Sequence, residues 1–469
     1  MSFRERVERI TDNHHVLPRT GAMRVDVHAY LSPALLTQTD EALWRQAAQA
    51  AAYPGMAALY LMPDTHLGYG IPVGGVAVTE DVLIQAGSGY DISCGVIYLR
   101  APDLCAADVG DVDKRRRWIR EVEARIATGV GSHRPRHMPR FSETEVENIF
   151  RFGAKALGVS AELCERQYIP IDEAALATDR IARARDKARP QLGSVGGGNH
   201  FVEMQVDRDD GSVWVMIHCG SRGYGWQTAN HYFYAGAELR GLPKNRREES
   251  WLGIGEPLGR EYWAAHNSAA NYAIANRHVI VRGVQQALED VFFATGEVFY
   301  EISHNLVQEE TLVLPDGATR RGFVHRKGAT RALPAGHPDL AGTQWETTGH
   351  PCLVPGSMYQ GAAILFPLDG AYASGCSVNH GAGRVLARGQ AKRELAAVHD
   401  RIDAEMRNVT RTLGGVEIRG IVGNTERTPL DECAHVYKDL DAVLRVLEDE
   451  GIARVAQRLY PVANLKGTD

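Results

Sequence analysis

Residues 57–78 read AALYLMPDTHLGYGIPVGGVAV, and residues 95–99 continue in the same style with GVIYL. Short apolar runs, often β-branched, are bounded here by glycine and proline. Ala57–Met62, Val73–Val78 and Val96–Leu99 therefore read as strands. Downstream, residues 106–128 and 142–157 read as helices, the second opening with Ser142 and Glu145 at capping-box spacing. Residues 171–188 also have a helical pattern. Val213–Ile217 reads as a buried strand ending at His218, residues 259–298 as predominantly helical, and 319–327 as a strand. A long amphipathic helix is expected from Arg384 to about Arg411, and another over about 440–458. Long helices and glycine-bounded strands alternate irregularly, without a βαβ rhythm, which favours α+β over a doubly wound sheet. No repeat, low-complexity tract or Pro/Ser-rich linker divides the chain, so residues 1–469 read as one compact catalytic unit.

With 469 residues, 44% hydrophobic and 23% charged, the chain can bury a sizeable core. No apolar run reaches the roughly 18 residues that would span a bilayer. The segment MSFRERVERITDNHH lacks the apolar stretch of a secretory signal. Seven scattered cysteines without a CxxC pair argue against a disulfide framework and for a reducing, cytoplasmic setting. A net charge of −6 leaves no global footprint for nucleic acid, though a local basic groove can sit on an acidic protein. Two local basic clusters stand out. Lys114, Arg115, Arg116, Arg117 and Arg120 read chiefly as a solvated helix face. The loop 131–140 contains two prolines, three arginines and two histidines, and is the better candidate for phosphate.

Histidines and acids gather at strand ends and in glycine-rich loops. The clusters are residues 62–70, 87–95, 196–203, 217–223, 302–305 and 377–384. Asp91 and Cys94 are close enough in sequence to reach one ion, and His200, His218 and His304 supply imidazoles. Each histidine alone reads as structural; the five residues together read as a metal site suited to Mn²⁺, Fe²⁺, Co²⁺ or Zn²⁺. A ligating role also explains a cysteine in a polar, glycine-flanked loop. Gly196–Gly198 let backbone amides approach a phosphate. His380 precedes the expected long helix, with Arg384 supplying a guanidinium fork, and so faces bound phosphate as ligand, acid or nucleophile. Ser221-Arg222-Gly223 repeats that theme. A polynuclear metal site beside phosphate-binding loops fits phosphoryl or nucleotidyl transfer. A metal-dependent phosphohydrolase would need much the same residues.

The motifs PDTHLGYG, DISCG, GGGNHFVE, HCGSRG, SHN, VPGSM and NHGAGR, in this order from about residue 57 to Lys466, resemble the RtcB family of RNA-splicing ligases. The resemblance implies an RtcB-like domain of mixed sheets flanked by long helices, with residues 1–56 divergent. It implies joining of an RNA 3′-phosphate or 2′,3′-cyclic phosphate to a 5′-hydroxyl, with GTP as cosubstrate and two Mn²⁺ ions. Carried over motif by motif, Asp91, Cys94, His200, His218 and His304 resemble the metal ligands, with Cys94 shared between the ions. His380 resembles the histidine that carries GMP. Asn199 and Asn305 fall where the GTP phosphates are met. Phe201, Glu203, Ser357, Tyr437 and Lys466 fall in the guanine pocket, and Arg222 and Arg384 near the RNA phosphate. Asp64 and His66 lie in a motif near the site. Archease is a partner the family often uses.

The chain also departs from the pattern. GVDIGCG becomes Gly89-Tyr-Asp-Ile-Ser-Cys-Gly95, and the lysine of HLGKG becomes Tyr69. PGSMG becomes Pro355-Gly-Ser-Met-Tyr359, a serine becomes Ala362, and the segment Ala335–Pro351 is longer. These changes spare the ligand set and His380 but alter the pocket, as in a paralogue for RNA repair. A non-catalytic RNA-binding paralogue is a second alternative to the ligase, which the intact ligand set opposes. On sequence alone, a lysine as near the terminus as Lys466 would be solvated.

Overall fold

A computed structural model describes residues 2–129 and 134–467. The architecture is α+β, as the irregular alternation of elements predicts. One sheet of seven strands runs in the order Glu8–Arg9, His14–Leu17, Val27–Tyr30, Met56–Tyr69, Ile71–Thr79, Thr319–Lys327 and Asn305–Val313. A second runs Glu297–Ser303, Gly95–Cys105, Ser212–Cys219, Phe201–Asp207, Ala453–Lys466, Ala362–Pro367 and Cys352–Pro355, with Val422–Gly423 added beside Ala453–Lys466. The pairing is mixed. Val27–Tyr30 runs parallel to Met56–Tyr69, whereas Met56–Tyr69 and Ile71–Thr79 are antiparallel. Three strands formed before residue 31 are thus part of the first sheet.

Register in the second sheet decides where the chemistry falls. Gly95 pairs with both Cys219 and Ser303, and Phe201 pairs with both His218 and Lys466. Cys94, His200, His218, His304 and Lys466 are at these paired ends or one residue beyond them. Motifs hundreds of residues apart therefore meet at one sheet end.

The longest described helix, Pro257–Phe292, packs against this sheet, with proline at its first turn and Phe293 left-handed at its end. Its middle is buried all round, including polar residues, which must then find partners. Asn276 bonds to the backbone at Gly193, Ser194 and Gly220. Arg277 donates to the carbonyls of Ser93 and Cys219 and pairs with Glu301. The helix therefore fixes three of the site loops from behind.

Several expected elements are shorter. The helix expected over 106–128 occupies Val112–Glu123, capped by Asp111, and the strand before it runs on to Cys105. The 142–157 helix has its capping box but becomes a 3₁₀ turn after Phe152. Of 171–188, only the stretch from Ala182 is helical; Asp172 instead caps a turn by accepting from Ala174 and Ala175. The helix expected over 384–411 is broken into Arg388–Glu394, a 3₁₀ turn and His399–Asn408. Arg384 pairs in extended form with Tyr437, and the Val385 amide donates to Val436, so tertiary pairing holds this backbone out of the helix. The last helix ends at Asp449 because Gly451 turns left-handed (φ +61°), and Ala453–Lys466 is a strand.

Candidate active site and metal centre

Cys94, His200 and His218 bring their ligand atoms within 4.8 Å of one another, all buried. Cys94 Sγ lies 3.3 Å from His200 Nε2 and 3.2 Å from His218 Nε2. On the His200 side, Asp91 Oδ2 is 2.8 Å away; on the His218 side, His304 Nε2 is 3.1 Å away. All five residues expected as ligands are thus one cluster, with the thiol in its middle.

Two of the imidazoles are aimed by backbone. The carbonyls of Val195 and Asn199 accept from Nδ1 of His200 and His218, both at 3.1 Å, which directs Nε2 inward. Burial and the neighbouring imidazoles hold His218 and His304 far below the usual histidine range, in the neutral form that ligates. Burial and the Asp91 charge push the Cys94 thiol up to about 12, so the thiolate needs a cation beside it. Burial opposes charge on His200 and on Asp91 alike, but their mutual attraction wins, raising the first pKa and lowering the second. A proton and a divalent ion therefore compete for His200 Nε2. A soft thiolate, three imidazoles and a carboxylate fit a transition-metal pair.

Ser93, where the family has glycine, is left-handed (φ +56°). Its hydroxyl bonds to that of Ser303 at 2.8 Å, tying the Cys94 loop to the His304 loop.

A pocket opens beside this cluster. Its lining includes Asp91, Asn199, Phe201, Glu203, His218, Asn305, Ser357, His380, Arg384, Tyr437 and Lys466, so most of the expected residues converge. Cys94, His200 and His304 are buried behind that lining. Arg222 is not part of it: its guanidinium is on the far side of His200, 3.3 Å from Nδ1, in space kept open by Gly196. The described part of the 131–140 loop, residues 134–140, does not line the pocket, and 131–133 lie outside the described residues. Of the other basic cluster, Arg115 is buried and donates to the carbonyls of Arg419, Gly420 and Val462, a structural staple rather than a solvated charge.

His380 follows the short strand Ser377–Asn379 and does not sit at a helix start, because the next helix begins only at Arg388. The dipole expected there is replaced by a carboxylate. Asp64, fully buried, accepts from His380 Nδ1 at 2.7 Å, leaving Nε2 as the basic nitrogen. The His380 ring centroid is 4.9 Å from that of His304. Gly328 (φ +60°) makes room for the ring: a Cβ there would stand 2.9 Å from His380 Cε1. Asn305 Oδ1 accepts from the Gly328 amide at 2.7 Å.

Lys466 is 5% exposed, contrary to the solvated terminus expected from sequence alone. Its ammonium lies 2.8 Å from Glu432 Oε2 and 5.5 Å over the Phe201 ring. Glu432 also accepts from Tyr437 and Arg384 and pairs with Arg388. Glu203 is held by the amides of Gln205 and Asn464, and burial pushes its pKa up to about 7.

Among the residues at the site that sequence reasoning missed, Glu432, Lys438 and Lys327 do the most to shape it. Glu432 lies in no glycine-rich motif, and its hub position is visible only in three dimensions. Lys438 donates to the carbonyls of Pro63 and Thr65, steadying Asp64. Lys327 lines the pocket, donates to the Ile71 carbonyl at 3.1 Å and lies 3.5 Å over the Tyr69 ring. Its position before a glycine at a strand end, His325-Arg-Lys-Gly328, was the available signal. A second buried trio, Cys164, His278 and Glu301, also has ligand spacing, but Glu301 is engaged by Arg277.

An α+β chain whose buried Cys–His cluster opens on a pocket edged by acids, arginines and lysines has the makings of a metalloenzyme. The model of a family described as tRNA-splicing ligase RtcB matches residues 46–467. A tRNA-splicing ligase RtcB of Archaeoglobus fulgidus is 34% identical, with 98% of this chain and 99% of the relative covered. One from Thermococcus kodakarensis is 33% identical over 95% of each chain. An RNA-splicing ligase RtcB of Mycobacterium tuberculosis is 33% identical, over 90% of this chain and all of the relative. The chain belongs to the RtcB family. The likeness reaches further toward the N-terminus than the motifs do.

Proposed function

We propose that this protein is an RNA ligase that joins RNA 3′-phosphate or 2′,3′-cyclic phosphate ends to 5′-hydroxyl ends through a guanylate carried on His380. The observation that carries the reading is the Asp64–His380 pair standing against the Cys–His cluster. A carboxylate on Nδ1 fixes the tautomer and offsets positive charge developing on the ring, leaving Nε2 to attack phosphorus. His380 Nε2 forms a bond to the α-phosphorus of GTP as the bond to pyrophosphate breaks. The guanylate then passes to an oxygen of the RNA 3′-phosphate, freeing His380. The RNA 5′-hydroxyl, losing its proton, finally displaces GMP to form the 3′,5′-phosphodiester. When the end is a cyclic phosphate, water must first open it to the 3′-phosphate.

Asp91 and His200, and His218 and His304, would hold two Mn²⁺ ions with Cys94 between them. Such ions supply charge neutralisation on phosphate oxygens in the displacements. Asn199 and Asn305 would meet the GTP phosphates. Phe201 offers the guanine a ring to stack on, Glu203 accepts from its N–H edge, and Tyr437, Ser357 and Lys466 close the pocket. Arg384 and Arg222 would act toward the RNA phosphate, Arg222 from behind His200. Archease is a candidate partner for turnover. The chemistry is held within one unit formed by the whole chain.

A phosphohydrolase would share the metal cluster and could use an oriented histidine as general acid, but it needs no covalent guanylate and joins no ends. The test is ligation of two short RNAs, one ending in 3′-phosphate and one beginning with 5′-hydroxyl, with GTP and Mn²⁺. The expected result is a joined product that requires both GTP and metal. Release of inorganic phosphate without joining would overturn the reading.

A further inference from the structure

Two departures from the family pattern, Tyr69 for lysine and Tyr90 for valine, fall side by side in space. Their rings are 5.5 Å apart, and both line the pocket. Tyr90 is in turn stacked on Trp226, centroids 5.7 Å apart and planes 22° from parallel. Trp226 is 52% exposed, which leaves much of its ring surface open to a ligand. It sits one helical turn after Arg222 on Arg222–Leu239, so helix and pocket wall meet at this stack. Tyr90 is held from its other end: its hydroxyl donates to Glu248 at 2.7 Å and accepts from Arg247 at 3.2 Å.

This aromatic stack is separated from the guanine end of the pocket. The path of contacts from Phe201 to Tyr90 passes through His218, Cys94, His200 and Asp91, the length of the metal cluster. Trp226 itself is not among the residues lining the pocket, so a ligand on its exposed surface is outside the cavity lined by Phe201, Glu203 and Lys466 and is not the guanine. Glu248 pairs with Arg247, so local positive charge is largely offset and flat-ring contact is the main attraction on offer. Unpaired RNA bases are recognised in this way, by stacking on aromatic side chains.

We propose that Tyr90 and Trp226 form a stacking platform for an unpaired base of the RNA substrate, near the end being joined. The assignment rests on the ligase reading for the identity of that strand. The platform holds the strand by its bases at the pocket mouth and favours single-stranded ends over ends embedded in a duplex.

The test is anisotropy titration of a fluorescein-labelled single-stranded RNA with a 3′-phosphate, without GTP. Companion RNAs carry one abasic site at each of the three terminal positions in turn. Trp226→Ala is expected to weaken binding of the intact RNA about tenfold, within the range of one lost base stack. Trp226→Phe should retain most of the affinity, which separates a ring contact from a folding defect. At one of the three positions, the abasic site should cost wild type about as much and cost Trp226→Ala almost nothing more. Unchanged binding in Trp226→Ala, or additive losses at all three positions, would overturn the platform. Transfer of label from GTP to the wild-type protein decides the ligase reading separately.

Discussion

Ser93 shows how one side chain can carry both strain and fastening. A non-glycine residue in left-handed backbone costs roughly 1–2 kcal/mol, and the Ser93–Ser303 bond offsets part of that. Ser93→Gly removes strain and bond together, whereas Ser93→Ala removes only the bond. Chemical denaturation should therefore find Ser93→Ala less stable than Ser93→Gly by about 1 kcal/mol. Equal stability of the two would mean that the backbone is not strained there. Glu203 gives a second prediction at this scale. Burial lifts its pKa to about 7, so below neutrality it is protonated and loses acceptor capacity toward guanine N–H groups. Affinity for GTP, measured without metal, should weaken severalfold from pH 8 to pH 6. The profile should flatten in Glu203→Gln; an unaltered profile would remove Glu203 from base reading.

At the scale of elements, the strand Ala453–Lys466 carries the site's last residue into the protein interior. Gly451 ends the preceding helix, and pairing with Phe201–Asp207 and Ala362–Pro367 makes the rest a central strand. Apolar periodicity over 440–458 runs through both, although Glu448-Asp-Glu-Gly451 is a polar, glycine-ended break between them. The same limit explains the broken helix after Arg384, where distant Val436 and Tyr437 capture the backbone. Elements set by local signals were legible: the capping box at Ser142 formed as read, and the glycine-bounded strands near 57–99 formed where expected but run longer, as Met56–Tyr69, Ile71–Thr79 and Gly95–Cys105. The burial of Lys466 was not, since only its Glu432 partner and the Phe201 ring explain it. Lys466→Ala should narrow the preference for GTP over ATP in nucleotide binding, each lost hydrogen bond contributing on the order of 1 kcal/mol. Ala362, buried in the neighbouring strand, removes a hydroxyl that the family has, so Ala362→Ser should widen that preference. An unchanged ratio in Lys466→Ala would place the base elsewhere.

Across the whole molecule, the second sheet's register gathers five ligands from four separate segments, and the helix Pro257–Phe292 locks them with Arg277. The residue types and their glycine-rich settings made this cluster readable in the sequence. Its depth behind the pocket, and the placement of Arg222 beyond His200, depend on packing that motifs do not encode. Because the cluster unites distant segments, metal binding should stabilise the entire fold. Mn²⁺ at a hundred times its Kd would contribute about 2.7 kcal/mol, and a chelator should reverse the rise in melting temperature. The gain should shrink as pH falls, because His200 and Cys94 must each give up a proton to ligate. Elemental analysis should find both ions weakened in Cys94→Ala and mainly one in His304→Ala. Full metal content in Cys94→Ala would exclude a bridging thiolate.

The central claim, that His380 carries guanylate, is tested most directly by incubating the protein with Mn²⁺ and GTP labelled at the α-phosphate. The expected result is label bound to the protein through an acid-labile, base-stable linkage, and lost in a folded His380→Ala variant. Label retained in that variant, or no label on the wild-type protein under conditions where it joins RNA, would contradict the assignment.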